Sequence, residues 1–203
     1  MKRSLMTIIP ASSAILAILL SGCSIIPNPG ESPKRFTLEA VAGTSEKNFS
    51  KQKIMVDMPV IYPPIDSQRV GVVPAANQID YYADCEWGDR LGVLIQDSLT
   101  YSLQNNRIFT VVSRTNEGVV SDLLLKTNVR KFFVVQHPQP TATVQYYVQL
   151  IQLSDRQVLA QTTLETSIPL HEEKLEEISS KLNQANLETT TKILNWLREA
   201  VHR

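Results

Sequence analysis

The chain has 203 residues, 43% hydrophobic and 20% charged, which fits one globular domain rather than a disordered or disulfide-stapled protein. Basic and acidic residues cancel to a formal charge of +0, and Lys and Arg are nowhere clustered, which argues against a nucleic-acid-binding face. The seven glycines are scattered without a phosphate-cradling loop, and the three histidines lack the spacing of a zinc helix.

Met1-Lys2-Arg3 is a short basic start. Leu5 to Leu20 follows, apolar apart from Thr7, Pro10, Ser12 and Ser13. This order is that of an export signal. The run is too short and too broken for a membrane-spanning helix, which takes roughly 20 apolar residues. It ends in Leu20-Ser21-Gly22-Cys23, which resembles the bacterial lipobox at every position. That resemblance implies cleavage after Gly22 and a diacylglycerol on the Cys23 thiol, so that residues 1–22 are a signal peptide. Two or three acyl chains anchor stably, at about 0.8 kcal/mol per buried CH₂. Ser24 stands where inner-membrane lipoproteins of many Gram-negative bacteria carry Asp, which implies the outer membrane, with the domain facing the periplasm.

Residues 23–34 include Pro27, Asn28, Pro29, Gly30 and Pro33, and read as a lipidated cysteine with a flexible tether. Eleven residues, Ser24 to Lys34, extend to about 36 Å. Residues 35–203 read as the globular domain. Arg35–Val41 and Lys53–Met58 alternate as strands. Pro59, Pro63 and Pro64 forbid a central strand across Met58–Ile65. Arg69–Val73 and Gln78–Tyr82 are short extended pieces. Glu86–Asn106 is predicted as a long helix, capped by Asp84, with Trp87, Leu91, Leu94, Ile95, Ser98 and Ser102 on one stripe. Phe109–Val112 is a short strand. Three longer strands follow, through Asp122–Arg130, Thr143–Leu150 and Val158–Ile168, the last two joined as a hairpin at Ser154-Asp155. His171 to His202 is a closing helix with Leu175, Ile178, Leu182, Ala185, Thr189, Ile193, Trp196 and Ala200 inward. The expected fold is α+β: a mostly antiparallel or mixed sheet, two long helices on one face, a single domain.

Candidate surfaces are fewer. Val60, Ile61, Tyr62 and Ile65 carry much apolar surface for a proline-rich segment, either as a docking lip for a partner or lipid, or as a buried connection covering a sheet edge. Tyr147, between Gln145 and Gln149, is a candidate interface aromatic. Cys85 is left alone once Cys23 is lipidated, and a small buried apolar side chain is the favoured reading over a reactive thiol. His171-Glu172-Glu173 has no second His one turn on, and no Gly-x-Ser-x-Gly elbow exists, so no catalytic set, metal or cofactor is expected.

Ile79-Asp80-Tyr81-Tyr82-Ala83-Asp84-Cys85-Glu86-Trp87-Gly88-Asp89-Arg90-Leu91, with a helix running on through Leu99, resembles the ABC-type transport auxiliary lipoproteins, the paraquat-inducible protein C-like family. Arg69-Val70, Phe36-Thr37-Leu38, the lipobox and the closing helix fit the same family. Its pattern is an extended segment ending in Tyr82, then Trp87 and Leu91, which serve mainly packing. The resemblance implies a non-catalytic outer-membrane subunit partnered with a Mce-domain protein and its inner-membrane transporter. It also implies phospholipid as cargo and makes a homo-oligomer plausible. An outer-membrane assembly lipoprotein, partner to a β-barrel or to lipopolysaccharide insertion, is the rival reading.

Overall fold

The computed structural model describes residues 32–43 and 50–201. The signal segment, Gly22, Cys23, most of the tether and His202 lie outside the described residues. Among the described residues nine strands form one mixed sheet: β1 (Lys34–Phe36), β2 (Ser50–Val56), β3 (Val60–Ile61), β4 (Arg69–Val73), β5 (Asp80–Trp87), β6 (Phe109–Arg114), β7 (Leu123–Val135), β8 (Thr141–Gln152) and β9 (Val158–Pro169). Two helices, α1 (Leu91–Asn106) and α2 (Leu175–Val201), pack on one of its faces. The expected α+β class and the two-layer arrangement are what the structure has.

The sheet is organised around β7. One edge of it pairs antiparallel with β8 from Leu123↔Gln152 to Val135↔Thr141. Its other edge pairs parallel with three short strands in succession: β2 at Leu123–Leu125, β3 at Asn128–Val129 and β4 at Phe133–Val135. Residues 50–73 thus run beside β7 as one interrupted strand. The interruptions fall at the prolines, which lack the N–H that a ladder needs. Pro59 kinks the chain before Val60, and Pro63-Pro64 open a single 3-10 turn, Pro63–Ile65. The Met58–Ile65 segment therefore contributes a two-residue strand to the sheet interior, where the sequence reading excluded one. Two residues between breaks are few enough to pair without a missing donor.

Two other differences from the sequence reading have local causes. The alternation in β7 changes phase at a bulge: Val129 pairs with Tyr146, but Lys131 pairs with Gln145. Leu123, Leu125, Thr127 and Val129 point into the core before it, Phe132 and Val134 after it. A strict period of two ends at Arg130, whereas the strand runs on to Val135. The first helix begins at Leu91, five residues later than read. Asp84, with φ 55°, cannot act as an N-cap, which needs an extended backbone. The residues after it are held as strand: Cys85, Glu86 and Trp87 pair with β1, and the Trp87 amide donates to the Gln68 carbonyl at 2.6 Å.

Of the expected first strand only Lys34–Phe36 forms. Residues 37–43 become a strap, and side chains of the helices satisfy its backbone. Ser98 Oγ donates to the Glu39 carbonyl (2.7 Å), the Val41 amide donates to Ser102 Oγ (2.8 Å), and Asn105 and Asn106 donate to the Val41 and Ala42 carbonyls. From α2, Asn183 accepts the Glu39 amide at 2.9 Å and donates back to its carboxylate. Ser98 and Ser102 are small where the α1 stripe meets the strap, so extended chain can approach. Contact is close: a Cβ on Gly43 would sit 2.6 Å from the Asn105 carbonyl oxygen.

The core holds Leu91, Ile95, Leu99 and Leu103 of α1, Ile178, Leu182, Ala185, Ile193, Leu194 and Leu197 of α2, and the inward rows of β7 and β8. A polar chain crosses it. Tyr146 Oη donates to Asn186 Oδ1 (2.7 Å), and Asn186 Nδ2 donates to Ser98 Oγ (3.0 Å), which reaches the strap. Burial raises the Tyr146 hydroxyl well above its ordinary range, so it stays a donor. Asn186→Ala removes the shared partner and leaves the fully buried tyrosine hydroxyl unpaired, at a cost of about 3 kcal/mol. Asn183→Ala, on the exposed side of the strap, costs about 1 kcal/mol or less. Urea denaturation of the two variants beside the parent measures the difference. Trp87→Ala, at a site 1% exposed, is expected to lose about 3–5 kcal/mol in the same assay.

Candidate functional site

Of the three residues of the sequence motif, Trp87 and Leu91 are core residues and Tyr82 packs against the core. Trp87 closes β5 and meets Phe132 edge to face, with ring centroids 5.6 Å apart and planes at 79°. Leu91 opens α1 and is buried. Tyr82 is half-buried, and its hydroxyl has no hydrogen-bond partner. Burial, then Glu173 and Cys85, push that hydroxyl up to about 12. Burial, then Glu176, push the Cys85 thiol up to about 11. A thiol held protonated and out of solvent is a packing group, not a nucleophile.

These residues surround an irregular stretch of β5. Arg69 pairs with Glu86 while Gly71 pairs with Tyr81, so β5 bulges between Tyr81 and Glu86. The bulge forms a cavity of about 260 Å³ lined by Pro33, Arg69, Asp80, Tyr82, Asp84 and Glu86 among others. Its charges are engaged at the surface: Arg69 lies over the Tyr81 ring at 5.1 Å, and Arg35 pairs with Glu86 at 3.3 Å. Among the described residues no three His, Cys, Asp or Glu side chains come together as metal ligands.

The second feature is the open face of the sheet, opposite the helices. The register assembles it from residues far apart in sequence. Val60 sits beside Asn128, Asn128 beside Tyr147, and Tyr147 beside Thr163, one row across four strands. The proline-rich segment and Tyr147, separate candidates in the sequence, are thereby about 10 Å apart on one surface. Arg130, outward in the regular alternation of β7, lies over the Tyr147 ring at 4.7 Å and reaches Thr163. Tyr147 Oη donates to Gln161 at 2.6 Å.

Of the apolar residues proposed for this surface, Val60 (51% exposed) and Tyr62 (61%) are available to a partner. Ile61 packs against the core, and Ile65 is 1% exposed beneath the 3-10 turn, so neither can serve a partner directly.

A further row escaped the sequence reading. Met55 pairs with Leu124, Leu124 with Ile151, and Ile151 with Val158. Each lies on the open face, so an apolar strip crosses four strands outside the core. Val158 was read as inward, in series with Ala160. A bulge at Leu159 turns it outward, where it is 47% exposed.

Comparison with known proteins places this architecture. Residues 36–194 match the family model described as the ABC-type transport auxiliary lipoprotein component. Among solved structures, a DUF330-family protein from Xanthomonas campestris superposes with a TM-score of 0.76 at 20% identity, covering 83% of this chain and 97% of that one. An uncharacterised protein superposes at 0.67 with 13% identity, covering 82% and 99%. A hypothetical protein from Chlamydia trachomatis gives 0.51 at 8% identity, covering 74% and 98%. At such identities the structures share a fold. No curated protein matches in sequence. The family match takes in β2 to β9, the whole of α1 and most of α2, and the chain belongs to the ABC-type transport auxiliary lipoprotein family.

Proposed function

We propose that this protein is the outer-membrane lipoprotein subunit of a Mce-type transport system, anchored through Cys23 and docking the end of the transport conduit. The observation that carries this reading is the family match across residues 36–194. The lipobox Leu20-Ser21-Gly22-Cys23 supports the anchor, and Ser24 supports the outer membrane. The role is binding and positioning. The titratable groups most shifted by burial, Tyr82, Cys85 and Tyr146, are packed into the fold and present no nucleophile–base pair. Phospholipid is the proposed cargo of the system, handled by the transporter.

The test is affinity purification of the lipidated protein from gently cross-linked cells, with mass spectrometry of the captured partners. Enrichment of a Mce-domain protein is the expected result. Enrichment of an outer-membrane β-barrel without any Mce protein would replace this reading with one of envelope assembly. A Cys23→Ala form should in addition leave the membrane fraction.

A further inference from the structure

The open face of the sheet is unlike an ordinary solvated face. Alternation predicts polar side chains there, and through much of β8 and β9 it delivers them: Gln145, Gln149, Gln161 and Thr163. At the end of β7 nearest Leu123 it fails. Met55, Leu124, Ile151 and Val158 stand side by side across β2, β7, β8 and β9. None of these four joins the core. Two residues along the strands from this row come Lys53 and Lys126, then Arg130 stacked on Tyr147, with Val60 in the Tyr147 row. Apolar side chains rimmed by cations and tyrosine suit the boundary between hydrocarbon and headgroups, where long basic side chains reach phosphate while their stems stay apolar.

The carboxylates of this face are taken up locally. Glu165 pairs with Lys131 at 3.0 Å, Asp122 accepts the Lys53 amide, and Asp57 accepts the Met58 amide. The helix layer carries both signs. Glu172 and Glu173 precede α2, and Glu176, Glu177, Glu188 and Glu199 lie along it. Glu172 pairs with Lys174 and Glu176 with Lys34, and Lys181, Lys192 and Arg198 lie along the same helix. Phospholipid phosphates are complementary to the cations of the sheet face.

Chain length agrees. β1 is an edge strand of this same sheet, so the chain enters the domain at the level of the sheet. Ser24 to Ser32 is nine residues, which extend to roughly 30 Å. A lipid on Cys23 keeps the sheet face within reach of its own bilayer, so even a weak surface contact becomes an intramolecular one.

We propose that the open sheet face rests on the membrane that carries the anchor, with Met55, Leu124, Ile151 and Val158 at headgroup depth and Lys53, Lys126 and Arg130 on phospholipid phosphates. The proposal rests on lipidation at Cys23. It turns the helix layer away from the bilayer.

The experiment uses the full mature lipoprotein in vesicles of phosphatidylethanolamine and phosphatidylglycerol doped with a headgroup-proximal nitroxide lipid. A bimane label is placed at Ile151→Cys on the sheet face, or at Tyr101→Cys on α1. Cys85, buried and held protonated, does not take the label. Quenching about twofold or more stronger at position 151 than at 101 is the expected result. Adding Leu124→Glu should bring position 151 down to the level of 101 while circular dichroism stays unchanged. Equal quenching at both positions overturns the proposal, as does indifference to Leu124→Glu. Protection of position 151 that appears without lipid and grows with protein concentration assigns the face to a second copy instead. Vesicles that float without the protein refute the anchor, and the membrane-resting face with it, whereas co-flotation with equal quenching refutes the face alone.

Discussion

The sheet is joined through β7: β2, β3 and β4 pair with one of its edges and β8 with the other. A strand's backbone must find partners on both edges wherever it is buried, and β7 is thirteen residues long with both edges inside the sheet. On one side the β8–β9 hairpin supplies a continuous partner. On the other the need is met piecewise by residues 50–73, which pair, step away and pair again. This tolerance for interruption is what admits three prolines into a stretch beside a central strand. It also explains why Val60 and Tyr62 are held at the surface while Pro59 and Ile65 are buried within the same eight residues.

The helix layer depends on a second constraint, the unpaired backbone of residues 37–43. Extended chain without a strand neighbour must be satisfied by side chains, and Ser98, Ser102, Asn105, Asn106 and Asn183 do this from both helices. The same serine ties the strap through Asn186 to Tyr146 in β8. A buried polar chain of this kind adds little net stability when complete, but it penalises any arrangement that leaves one member unpaired. It thereby fixes how strap, helices and sheet are set against each other. Between the strap and the tether stands β1, paired with β5.

The elements with a clean period were legible in the sequence. The β8–β9 hairpin, the inward row of α2 and the two-layer α+β class follow from alternation and helical spacing alone. The errors sit where backbone geometry breaks the period. The bulge at Arg130 hid the second half of β7, the bulge at Leu159 reversed Val158, and the left-handed Asp84 sits where a helix cap was read. Trp87 looked like a helix opener because it falls one turn before Leu91, yet its amide and those beside it are claimed by the strand ladder. Of the surface residues, Val60, Tyr62 and Tyr147 were visible singly. That they share one face was not, since pairing register is set by contacts between distant segments. The apolar row was invisible for the same reason: each member lies in a different strand, and none breaks the pattern of its own segment enough to stand out.

The bulges that defeated the sequence reading also shape the surface. Without the extra residue at Arg130, the odd-numbered inward series of β7 would continue and place Lys131 in the core in place of Phe132. The bulge brings Phe132 inward against Trp87 and leaves Arg130 outside, over Tyr147. At Leu159 the insertion leaves Ala160 beside Leu150 of the inward row and sets Val158 beside Ile151 on the open face. An uninterrupted hairpin would set Leu159 beside Ile151 and carry Val158 inward, so the bulge exchanges one apolar side chain for another in the outer row. The β7 bulge therefore keeps both Arg130 and Lys131 on the face that the helices leave uncovered, and the β9 bulge decides which apolar side chain joins its outer row. Bulges cost ladder hydrogen bonds, and here that cost accompanies a change in which residues the protein shows to its surroundings.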